Sequence, residues 1–150
     1  VKKGLMHVKK RHARRWDYFL TPKGITEKTR LTMEFLKFSM HFYQEARKRS
    51  AQVCKDISLE GKVKVAYLGA TELAEICHLG VQEWGLEVVA VYDDEPPKPT
   101  FLTLEVEPVS ALDTTEAEAI IVCLYDPKMP MRKRNLPNGV EAKDDLKFIF

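Results

Sequence analysis

The 150-residue sequence predicts an α/β chain in which a β-hairpin and one long helix precede a small parallel-sheet domain. Three observations carry this expectation. Two short strand-forming runs flank a basic turn near the start. No proline or glycine then interrupts the chain from Ile25 until Gly61, and from residue 62 apolar strands alternate with an amphipathic helix.

The first element is the hairpin. "GLMHVKK" and "RWDYFLT" are rich in strand formers and are separated by the polar "RHAR". Lys2, Lys3, Lys9, Lys10, Arg11, Arg14 and Arg15 place seven cations within fifteen residues. Such a tip can lie along a nucleic-acid backbone, releasing condensed counterions as it neutralises phosphates. A charge run is also read as a solvated surface. The imbalance extends beyond the tip: residues 1–60 carry fifteen Lys and Arg against six Asp and Glu, whereas residues 61–150 carry nine against sixteen.

The helix follows from "LTPKG". Thr21 can cap the free amides and Pro22 suits the first helical position, since its φ is already helical and it has no N–H to leave unpaired. Gly24 in the first turn lowers helix propensity and so points to a close approach by another backbone. Along residues 25–58, Leu31, Phe35, Phe38 and Phe42 form one stripe, and Ile25, Thr29, Thr32, Leu36, Met40 and Tyr43 a second. So broad an apolar surface calls for a cover, either helices of a missing N-terminal part, a partner subunit, or both, and a homodimer through 25–46 is expected. After Ala46 the residues turn polar, which reads as a solvated connector fraying near Ile57.

"GLMHVKKRHARRWDYFLTPKGITEKTRLTMEFLKFSM" resembles the wing and following helix of MarR-type winged-helix regulators, and specifically their exopolysaccharide-associated group. The resemblance covers residues 1 to 45. It implies DNA binding with Lys9, Lys10, Arg11, Arg14 and Arg15 as wing contacts, and dimerisation through the helix after "LTPKG". The family's recognition helix, which precedes the wing, has no counterpart here, so the chain reads as an N-terminally truncated piece with weak, non-specific DNA affinity of its own.

From residue 60 onwards the third region begins. Val63 to Leu68 form a strand, and Leu73, Ile76, Cys77, Gly80, Val81 and Trp84 form a helical stripe closed by Gly85. "LEVVAVY" is a second strand ending at Asp93 and Asp94. In a dinucleotide-binding unit the glycines of the first turn admit a pyrophosphate and the acid after the second strand holds ribose hydroxyls. Gly69, Ala70, Thr71, Glu72, Asp93 and Asp94 are therefore the candidate ligand residues. "GATELA" keeps only the first glycine, so a corner of the fold with no ligand is an equal reading, and Glu72, which would repel a phosphate, tilts the balance towards it.

"FLTLEVEPVSAL" suggests a strand and a helical turn, "AEAIIVCLYD" a buried strand, and "LKFIF" a final one. "RKR" at 132–134 reads as a solvated surface. "YLGATELAEI" and "VVAVYDDE" resemble the Rossmann-like nucleotide-binding domain of bacterial sugar O-acyltransferases, which implies NAD, a nucleotide-sugar or a coenzyme-A-like molecule as the ligand, or a domain that has lost its ligand.

Cys54, Cys77 and Cys123 have neither disulfide nor metal spacing and read as buried structural thiols. With no apolar run of 18 residues and no signal sequence, the expected location is the cytoplasm. No paired nucleophile and base is visible, so the leading reading is a ligand-sensing, DNA-binding transcriptional regulator. The alternatives are an NAD- or nucleotide-sugar-binding enzyme or enzyme fragment, and a dimerisation module without a ligand.

Overall fold

The computed structural model describes residues 4–12, 15–140 and 143–150, with the backbone alone for 8–12 and 15–18. It comprises two compact units, Val1–His41 and Phe42–Phe150, and the division falls inside a helix.

In the first unit, β1 (Met6–His12) pairs antiparallel with β2 (Arg15–Leu20). The register runs from Met6 opposite Leu20 to Lys10 opposite Trp16 and shifts before His12 meets Arg15. Helix α1 (Pro22–Leu59) starts directly after the hairpin. Thr21 holds the junction: its hydroxyl accepts the Gly24 N–H at 3.0 Å and donates to the Gly4 carbonyl at 2.6 Å. The Thr21 N–H in turn donates to the Leu5 carbonyl at 3.0 Å. A Cβ on Gly24 would lie 2.0 Å from that carbonyl oxygen, which explains a glycine in the first turn. Within this unit Ile25, Leu31, Phe35 and Met40 are each more than half exposed.

The second unit is a mixed six-stranded sheet in the order β5-β6-β4-β3-β7-β8. Its strands are β3 (Lys64–Leu68), β4 (Glu87–Tyr92), β5 (Thr100–Phe101), β6 (Leu104–Glu107), β7 (Ala119–Val122) and β8 (Leu146–Phe148). Every neighbouring pair is parallel except β5–β6. The chain works outward from β3 to one edge and then, from β7, to the other, so the order reverses between β3 and β7. Because β3 is central, its successive residues are buried on both faces. On one face Val65, Tyr67, Val91 and Ile121 join Leu73, Cys77 and Val81 of helix α2 (Glu72–Glu83). On the other, Ala66, Leu68, Ala90 and Ile120 meet Leu112 and Val140, with Leu112 in a 3₁₀ turn over Val109–Thr114.

The second half of α1 corrects the expected solvated connector. Ala46, Ser50, Cys54 and Ile57 are fully buried, the three apolar ones in the same core as α2. A Cβ on Gly80 of α2 would lie 3.2 Å from Cys54 Sγ and 3.3 Å from the Ser50 carbonyl oxygen, so small residues on both helices permit close approach. The small, partly polar side chains Ala46, Ser50 and Cys54 at four-residue spacing form the buried stripe, which a search for large apolar residues passes over. The stretch expected as one strand, "FLTLEVE", is instead the β5–β6 hairpin, turning through Leu102 and Thr103 at φ 48° and 72°.

Candidate functional site

The reversal of strand order leaves a crevice beyond the carboxyl ends of β3, β4 and β7, the usual place for a ligand in open sheets of this kind. At its floor, Gly69 leaves β3 at φ 109°, and a Cβ there would lie 3.0 Å from the Leu124 amide nitrogen. Both a left-handed backbone and a tight neighbour thus demand glycine. The Gly69 N–H donates to the Tyr92 carbonyl at 2.8 Å, tying the ends of β3 and β4 together.

Asp93 organises the next turn. Its carboxylate accepts the Ala70 N–H at 2.8 Å on one oxygen and the Glu95 N–H at 3.0 Å on the other. Asp94 accepts the Val109 N–H at 2.9 Å. Thr71 adopts extended backbone before α2 and its hydroxyl donates to the Cys123 carbonyl at 2.7 Å. Glu72, in the first turn of α2, accepts the Tyr125 hydroxyl at 2.8 Å. A hydrogen bond from its own backbone N–H, reinforced by Tyr125, holds the Glu72 carboxyl below the usual carboxylate range. Burial, and then the contact with Glu72, pushes the Tyr125 phenol up to about 12.

Five of the six expected ligand residues, Ala70, Thr71, Glu72, Asp93 and Asp94, line one cavity of about 570 Å³, while Gly69 forms the buried turn beneath it. The lining also includes Glu95 and Arg134. Four carboxylates against one guanidinium make the strand-end side strongly acidic. Two unit charges 4 Å apart near a protein surface interact by about 4 kcal/mol. A pyrophosphate at the start of α2 would meet Glu72 and Asp93 at such range, with the Ala70 amide already engaged. The arrangement suits hydroxyl groups there.

The three cysteines, distant in sequence, converge in the core from α1, α2 and the residue after β7. All are free thiols. Contact with Cys77, followed by burial, pushes the Cys54 thiol up, and Cys123 together with burial raises Cys77, so neither forms a thiolate readily. Among the described residues, no group of three or more His, Cys, Asp or Glu side chains is placed to hold a metal ion.

Of the expected DNA contacts, Lys9, Lys10 and Arg11 fall on β1 and Arg15 on β2. Their side chains, and Arg14 as a whole, lie outside the described residues. No helix among the described residues is long and apolar enough to cross a membrane.

Sequence reasoning missed Arg134, Asn135 and Leu136, which close the crevice from a loop forty residues beyond Asp94. The only local signal was the basic "RKR". A comparison with protein-family models, with curated proteins and with solved structures finds no match to this chain.

Proposed function

We propose that the chain is part of a DNA-binding transcriptional regulator of the winged-helix type whose Rossmann-like unit senses a small ligand. The observation that carries this reading is the hairpin. An antiparallel ribbon bearing Lys9, Lys10, Arg11 and Arg15 is rooted through Thr21 and Gly24 in the first turn of a helix. A ribbon of this shape and charge suits the phosphates beside a groove. The helix supports the dimer expected of such regulators: Ile25, Leu36 and Met40 recur on one side at helical spacing and remain exposed. On the same helix Arg30 is paired to Glu27 at 2.7 Å and to Glu34 at 2.6 Å, which removes one positive charge from any repulsion between two copies.

The test is a mobility-shift titration of a short duplex at low salt. The wild-type chain is expected to retard DNA, and a variant with Lys9, Lys10, Arg11, Arg14 and Arg15 all replaced by Glu to lose retardation while keeping its circular dichroism. Equal retardation by both proteins, or none by the wild type, would sink the proposal.

A further inference from the structure

Beside the crevice at the strand ends lies a second cavity of similar size, about 570 Å³. The two share Arg134, Asn135 and Leu136, so one wall serves both. Their electrostatics are opposite. The first carries Asp93, Asp94, Glu95 and Glu72, whereas the second, among the described residues, is lined by Lys133, Arg134 and Lys143 and by no carboxylate.

The cations differ in availability. Lys143 is engaged by the Leu112 carbonyl at 3.0 Å and by Asp113 at 2.9 Å. The Lys133 ammonium stands 4.0 Å from the centroid of the Phe148 ring, a contact that leaves its N–H donors open to an anion. Arg134 is exposed and makes no hydrogen bond or ion pair among the described residues. At the other end, Asp94 receives one backbone N–H, on one of its two oxygens.

We infer that the crevice binds a sugar carrying a phosphate, with the sugar hydroxyls on Asp94 and Glu95 and the phosphate on Arg134, the cation that both cavities share, beside Lys133. The phosphate thus lies away from the start of α2, the reverse of the polarity usual in dinucleotide-binding turns. Three features support this direction. The carboxylates that repel a phosphate are ready acceptors for a diol, a guanidinium fork matches phosphate oxygens, and each cavity falls within the usual size of small-ligand sites. The inference rests on the crevice being the ligand site of the proposed sensor and is independent of the DNA reading.

Isothermal titration of the full chain with uridine, uridine 5′-monophosphate, glucose 1-phosphate and inorganic phosphate tests it, and the two phosphorylated sugars separate a nucleotide from a simple sugar phosphate. At least one of them should bind, and at least ten-fold more tightly than uridine or inorganic phosphate. Arg134→Ala should weaken that binding about ten- to a hundred-fold without changing the melting temperature of the free protein. Binding of uridine as tight as that of its monophosphate, unaffected by Arg134→Ala, would overturn the inference and leave the crevice as a ligand site. Tighter phosphate binding in Glu72→Gln with no effect of Arg134→Ala would place the phosphate at α2 and also overturn it. No binding by any of the four would remove both the inference and the sensor reading.

Discussion

Gly24 shows how a single hydrogen atom in place of a methyl group fixes a junction. A Cβ there would overlap the Leu5 carbonyl oxygen at 2.0 Å, a backbone atom with no rotamer to retreat into. Gly24→Ala is therefore expected to release the hairpin from α1, seen as faster amide exchange over residues 6–20 and a loss of at least about 2 kcal/mol. Thr21→Ala should cost about 1 kcal/mol by removing the cap. This junction was legible in the sequence because "LTPKG" has one physical reading at each position. Asp93 was legible only in part. Its place after β4 followed from spacing, but its two bonds to the Ala70 and Glu95 amides depend on a turn that no local pattern specifies.

Titration belongs to the same scale. Burial lowers the His78 imidazole from its ordinary 6.5, and backbone hydrogen bonds from Lys64 and Val63 lower Glu118 from 4.5. In both cases the folded state disfavours the proton, so the stabilisation is complete above the unfolded value and is lost as pH falls through the folded one. The melting temperature should be level between about pH 7 and 8, begin to drop below about 6.5 and drop further below about 4.5. His78→Gln should abolish the first stage only. A first stage that survives this substitution would point to another group.

At the scale of elements, the β5–β6 hairpin turns through two residues with positive φ, Leu102 and Thr103, where asparagine and glycine are favoured. Thr103 is β-branched and pays for this conformation in strain. Leu102→Asn with Thr103→Gly should raise stability by about 1–2 kcal/mol in urea unfolding, and no gain would mean that the turn relaxes in solution. Strands β3, β4 and β7 and helix α2 were legible because period and length mark them without tertiary help. The second half of α1 was not, since Ala46, Ser50 and Cys54 declare themselves as core only once Gly80 of α2 faces them. Gly80→Leu, pressing on Cys54 and the Ser50 carbonyl, should cost about 1–3 kcal/mol.

For the whole molecule, the segregation of charge and the bare helix stripes carry the functional reading. If the exposed stripe joins two copies, sedimentation should show a dimer, and Leu36→Glu with Met40→Glu should give a monomer of unchanged helix content. A monomeric wild type would remove the dimer from the account. The crevice was half legible: the sequence marks its strand-end side, whereas the basic side comes from residues 133–136, which only folding brings there. The most direct test of the central claim is the salt dependence of DNA binding, followed by fluorescence anisotropy on a labelled duplex. If the five hairpin cations all reach phosphates, log affinity should fall against log salt with a slope of about −4.5. A slope near zero, or no binding at the lowest salt, would contradict the account.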